Sequence, residues 1–207
     1  MNTPTPALPS PDDVLRYWLG DDWRGGWPAD DRHALWFGGG PERDAEIRER
    51  FGPLLEAALA RQLDDWAAPL DHRLALVIVL DQFSRNVHRG QARAFAGDGL
   101  AQRLVLQTLD RAQDTELPVV GRVFLYMPLM HAEDLTLQQA CVAQFTRLAG
   151  HAPPELAPRL QGHLRAAQQH RDIVARFGRF PHRNAALGRP STPDEAAFLI
   201  DGPRFGQ

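Results

Sequence analysis

Leu70-Asp71-His72-Arg73-Leu74-Ala75-Leu76-Val77-Ile78-Val79-Leu80-Asp81-Gln82-Phe83 is the stretch on which the fold turns. Taken alone, Val77-Ile78-Val79-Leu80 suits a buried strand as well as a buried helix. A strand needs a partner, and the rest of the chain offers no second candidate. The stretch therefore reads as a central helix, apolar on nearly all sides, with its polar end at Asp81-Gln82-Phe83-Ser84-Arg85-Asn86 already inside the protein.

Working outward, every other apolar pattern has helical spacing. Ser10-Pro11-Asp12-Asp13 is a helix start, and Val14, Leu15 and Trp18 share one face up to Gly20. Asp21 to Gly40 is glycine-rich yet holds Trp23, Trp27, Trp36 and Phe37, which predicts a loop lying against the body. Pro41 opens a helix running towards Trp66, with a kink or break expected at Gly52-Pro53. Further helices are expected over Leu100–Gln113, Pro118–Tyr126, Glu133–Leu148 and Glu155–Phe177, the last capped by Gly178. Thr192-Pro193-Asp194-Glu195 is a capping box launching Pro193–Ile200. The sum is an all-α fold, a multi-helix bundle of antiparallel helical hairpins without a sheet. Residues 1–9 read as a disordered leader and 10–207 as a single all-helical domain.

Composition closes off several functions. The 207 residues suffice for a sizeable core, and the net charge of -3 argues against a nucleic-acid binder. All 23 basic residues are arginine, so no Schiff-base lysine or lysine general base is available. Cys141, the single cysteine, permits no intramolecular disulfide and no thiolate zinc site, and is expected to fill core space. The N-terminus has neither the basic start nor the apolar run of a signal peptide, and Leu74 to Leu80 is far shorter than the ~20 residues of a membrane span. A soluble, cytoplasmic protein with no membrane partner is expected.

Polar chemistry concentrates in three stretches. In the first, Asp81 and Arg85 share a helix face, and Arg85 and Arg89 lie four apart, so an acid or an anionic ligand must separate the two guanidiniums. Asn86 belongs to the same surface. The second, Tyr126-Met127-Pro128-Leu129-Met130-His131-Ala132-Glu133-Asp134, sets His131 and Glu133 at a helix start. One such pair is a weak metal signal, and no metal or other cofactor is assigned. The third, Phe177-Gly178-Arg179-Phe180-Pro181-His182-Arg183-Asn184, interleaves charges with phenylalanines. His163 and His170 lie on one face of the preceding helix; His170 is assigned to the site and His163 to helix surface. Gly38-Gly39-Gly40 before a helix is a weak anion cradle.

The order Leu80-Asp81-Gln82-Phe83-x-Arg85-Asn86-x-x-Arg89-Gly90, then Phe124 to Asp134, then Phe177 to Asn184 resembles the family catalogued as domain of unknown function 924. Val14-Leu15-x-Tyr17-Trp18, Trp36-Phe37 and Thr192-Pro193-x-Glu195-x-x-Phe198-Leu199 carry the resemblance across nearly the whole chain. It implies an all-helical, tetratricopeptide-like fold and brings no reaction. The family pattern has proline where this chain has Ser84.

Two functional expectations follow. In one, the motifs converge on an internal pocket for a small anionic molecule, a carboxylate or phosphate. Asp81, Arg85, Asn86, Arg89, Tyr126, His170, Arg179, Arg183 and Asn184 would bind it, and His131, Glu133 and His182 would move a proton. This predicts arginine head groups left without acids. In the other, the chain is a tetratricopeptide-like scaffold for a protein or peptide partner, and the motif charges are internal ion pairs. That predicts complete arginine–acid pairing and an apolar groove elsewhere.

Overall fold

In the computed structural model residues 7–205 are described; residues 1–6 of the expected leader lie outside them. All regular structure among the described residues is helical. The helices are α1 (Pro11–Leu19), α2 (His33–Phe37), α3 (Pro41–Leu59), α4 (Leu70–Ile78), α5 (Ser84–Val87), α6 (Asp98–Asp110), α7 (Val119–Met130), α8 (Leu135–Gly150), α9 (Ala157–Phe177) and α10 (Pro193–Asp201). Short 3-10 turns fill several of the connections.

The two outermost starts are set by local hydrogen bonding. Ser10 and Asp13 cap α1 reciprocally, and Thr192 and Glu195 do the same for α10. Asp134 caps α8 by accepting from the Leu137 amide, so that helix begins two residues later than the sequence implied. α3 runs unbroken through Pro53 to Leu59, and α7 likewise carries Pro128 inside it, so neither proline ends its helix.

The central stretch is helical throughout, with one departure. Between α4 and α5, Val79–Phe83 forms a π turn, in which the Ser84 amide donates to the Val79 carbonyl. Such widened turns occur mostly as single turns inside α-helices, frequently at functional sites. This one carries Asp81. α4 and the π turn lie at the middle of the core, packed by α1, α3, α6 and α7, and Leu74 through Leu80 are all essentially inaccessible. α7, α8 and α9 follow as neighbours, α8 along α9 most extensively.

The tryptophan-rich loop lies on the body. Trp23 and Trp36 are buried, and the Trp36 indole donates to the Trp18 carbonyl at 2.8 Å. Cys141 fills core space, as expected, with burial pushing its thiol far up. A small second cluster, Ile173, Val174 and Phe180 with Phe177, Phe198 and Phe205, holds α10 and the segment after it against α9.

Candidate functional site

The π turn, the end of α7 and the middle of α9 meet around a cavity of about 390 Å³. Its polar lining comes from Gln82, Arg85, Asn86, Arg89, His131 and His170, its apolar lining from Trp36, Phe37, Met127 and Met130. A second, much smaller hollow of about 30 Å³ adjoins it, sharing Arg85, His131, His170 and Phe205 and adding His182 and Arg183.

Asp81 is the buried anchor. His131 Nδ1 lies 2.8 Å from its Oδ1, and the Gln82 amide donates to its Oδ2 at 2.6 Å. Arg85 contacts it through Nη1 at 3.1 Å. Burial opposes ionisation of this carboxyl, but the Arg85 and His131 groups and the Gln82 hydrogen bond hold it well below the usual carboxylate range. Burial, aided by Arg85, pushes the His131 imidazole down against the pull of Asp81. The pair is thus an ionised carboxylate and a neutral imidazole, with Nδ1–H donating to Asp81 and the Nε2 lone pair left open. Histidine held in one tautomer by a buried carboxylate is the arrangement of a proton acceptor.

His170 repeats the tautomer. Its Nδ1 lies 2.8 Å from the Ala166 carbonyl, so that nitrogen carries the proton. Burial pushes it down to about 3, and His182 to about 4. The ring of Phe205 stacks on His170 at 3.8 Å and closes the hollow from the side of the segment after α10. His163 is corrected from helix surface to cavity wall: it stacks on Phe145 at 5.9 Å, and burial pushes it down to about 4.

The arginines find acids. Arg85 makes a bidentate pair with Asp98 at 2.9 and 3.0 Å in addition to Asp81, and Arg89 makes one with Asp44 at 2.7 and 2.9 Å. The charge conflict between Arg85 and Arg89 is resolved by one aspartate apiece. Asp98 reaches Arg85 because α6 begins against the π turn: a Cβ on Gly97 would sit 2.5 Å from the Leu80 carbonyl oxygen, so only glycine allows the approach. Arg183 is different. Its guanidinium lies between Phe95 and Phe180, 4.6 and 4.5 Å from the ring centroids, and 3.6 Å from Asp98. Its Nε is buried without a hydrogen-bond partner, and burial with Arg85 nearby pushes it down to about 10.

Four assigned residues lie apart from the cavity. Glu133 accepts from the Phe180 amide at 2.8 Å and pairs bidentately with Arg189 at 2.6 and 2.8 Å. Arg179 pairs with Glu195 at 2.6 and 2.8 Å, and the Asn184 amide reaches Ser191 and the same carboxylate. These contacts clasp residues 178–195 together and onto the start of α8. Tyr126 faces away from the cavity, with its ring against Phe145 and its hydroxyl on Asp114 at 2.6 Å. Sequence reasoning missed Asp44, Asp98 and Arg189. Asp98, enclosed by two glycines at a helix start, offered the one usable signal.

Among the described residues no group of three or more His, Cys, Asp or Glu is placed to hold a metal ion. The guanidiniums of Arg85 and Arg183 beside the three histidines also oppose a cation there. Among the described residues no helix is long and apolar enough to cross a membrane.

Fold and cavity together define a helical protein with an aromatic-walled pocket around a buried Asp–His pair. The chain belongs to a family of bacterial proteins of unknown function, DUF924, whose model matches residues 14–203. It is similar to the solved structure of ATU0120, a protein of unknown function from Agrobacterium tumefaciens, at 35% identity and a TM-score of 0.76 over 93% of this chain and 97% of that one. No curated protein matches it.

Proposed function

We propose that the 390 Å³ cavity binds a small molecule carrying one carboxylate or phosphate group, and that His131 takes a proton from it. The observation that carries this reading is the contact of His131 with Asp81: a fully buried carboxylate fixes the imidazole's tautomer at the wall of a cavity. Arg85 and Arg183 are enclosed, whereas the Arg89 side chain is 30% exposed and lies beside Gly39, which has no side chain to cover its backbone. The anionic group meets Arg89 and Gly39 at the mouth, and the body of the ligand lies against Trp36, Phe37 and Met130. Three aspartates balance Arg85, Arg89 and Arg183, so a singly charged ligand suits the site better than a polyanion.

The test is a thermal-shift screen of monocarboxylates and phosphate monoesters, repeated on Arg89→Ala and His131→Ala. A true ligand raises Tm by mass action and loses that rise in Arg89→Ala. A second reading, the peptide-binding scaffold, is favoured by the acid pairing of Arg85, Arg89 and Arg183 around the cavity, where the pocket expectation had head groups without acids, by that of Arg179 and Arg189, and by an open groove lined in part by Ile173, Phe177 and Phe198. A silent screen on a well-folded protein rejects the pocket reading and leaves that one.

A further inference from the structure

On the other side of α7 lies a cavity of about 410 Å³, formed with α8, the start of α9 and the turn before α7. Tyr126 and Asp114 are its buried polar residues. Burial and the adjacent Asp114 carboxylate push the phenol up, so it stays protonated and donates to Asp114 Oδ2 at 2.6 Å. The other carboxylate oxygen, Oδ1, has no donor among the described residues, although Asp114 is only 5% exposed. Oδ1 is not among the sealed, unpartnered side-chain atoms of the described residues, so it opens to the cavity and is within reach of a donor there.

Arg122 and Arg147 line the same cavity, and neither forms an ion pair among the described residues. Arg122 spends Nε on the Leu117 carbonyl and Nη2 on the Thr115 carbonyl. Arg147 spends Nη2 on the Gln144 amide oxygen. Both keep further N–H groups for a ligand. Every arginine around the His131 cavity has an acid, and these two do not. Between the charges runs an apolar wall of Leu109, Val119, Leu148 and Leu160. Ala112, also in the lining, holds a left-handed φ of 53, a conformation that non-glycine residues keep where the surroundings impose it.

We infer that this cavity is a second binding site, for a zwitterionic α-amino acid with an apolar side chain. A simple anion would be repelled by Asp114 and a simple cation by the two arginines. A ligand with ammonium and carboxylate on one carbon presents both charges a few bonds apart. The ammonium meets Asp114 Oδ1, the carboxylate meets Arg122 and Arg147, and the side chain lies on the leucines and Val119. The site is independent of the His131 chemistry.

Calorimetric titration of the full chain with leucine tests it, alongside 4-methylpentanoate and 3-methylbutylamine, which each keep one of leucine's two charges. Leucine should bind, and both half-charged analogues should bind at least about tenfold more weakly. Arg147→Ala, at an exposed position, should weaken leucine binding by about tenfold or more with an unchanged melting temperature, and His131→Ala should leave it intact. Asp114→Asn, which keeps an acceptor for Tyr126, should do the same as Arg147→Ala; if it fails to fold, Arg147→Ala alone decides. Absence of leucine binding, equal binding of either analogue, or full binding by Arg147→Ala overturns the inference.

Discussion

Asp81 and His131, fifty residues apart in the chain, meet at 2.8 Å through Oδ1 and Nδ1, with Asp81 sealed from solvent. The contact ties the π turn at the centre of the core to the end of α7. It also sets the proton on Nδ1 and so decides which nitrogen faces the cavity. Structural support and chemical orientation are thus carried by the same two atoms.

Removing Asp81 should therefore be expensive. Asp81→Ala leaves Arg85 and His131 without their shared carboxylate, and breaking a buried ion pair costs roughly 3–5 kcal/mol. Asp98 stays on Arg85 through its bidentate contact, which places the loss near the lower end. Urea unfolding measures it. A loss under about 1 kcal/mol would mean that the π turn is held by its apolar packing and that the carboxylate adds little.

Acid should weaken the protein before carboxylates titrate. His163, His170 and His182 are held neutral by burial, at about 4, 3 and 4, against an ordinary value of 6.5. Their folded values lie below the unfolded one, so the unfolded chain binds the extra protons. Stability is full above pH 6.5 and falls as pH drops towards 4, by up to about 1.4 kcal/mol per pH unit for each histidine. Urea midpoints across this range, compared with His170→Gln, read the effect. The variant should show a slope smaller by one proton; an unchanged slope means that His170 does not titrate on unfolding.

Glu133 closes the clasp on residues 178–195, and a neutral replacement should open it locally. Glu133→Gln keeps an acceptor for the Phe180 amide but loses the charge that holds Arg189 in a bidentate pair. Hydrogen exchange at the Phe180 amide should speed up severalfold while α4 and α7 keep their protection. Uniform loss of protection would make the clasp part of the global folding unit.

Much of this architecture was legible in the residues. The absence of a second strand candidate made Val77 to Leu80 helical, and the capping patterns at Ser10 and Thr192 marked real helix starts. Of the three polar stretches, the first two meet through Asp81, Arg85 and His131, while only His182 and Arg183 of the third reach the adjoining hollow. What stayed hidden depends on distance in space. Tyr126 lies five residues from His131 in one motif, yet α7 turns the two side chains to opposite sides. The partners of Arg85 and Arg89 come from elements whose approach is set by packing, and nothing in a helical period reports that Gly97 lets Asp98 in. Pro53 suggested a kink or break and Pro128 a disturbed last turn, yet α3, packed on the π turn and α5, and α7, packed among α4, α6 and α8, both run through their prolines.

Ser84 offers a test of the π turn itself. A proline in the body of a helix costs about 3 kcal/mol or more, because it removes an N–H and its ring strikes the carbonyl four residues back. At Ser84 the amide reaches five residues back, to Val79, and the Leu80 carbonyl it would otherwise meet packs against Gly97. The widened turn should thus leave room for a pyrrolidine ring. Ser84→Pro should then lose the amide bond to Val79 and the hydroxyl's bond to the Ala94 carbonyl at 2.9 Å, shared with the Arg93 carbonyl at 3.3 Å, a cost of about 1–2 kcal/mol. Leu76→Pro, about two turns earlier in regular helix, should cost at least about 3 kcal/mol or prevent folding. Urea unfolding of the two variants side by side measures the difference. Equal losses would show that the π turn gives proline no relief, and that Ser84 is held there by its own hydrogen bonds.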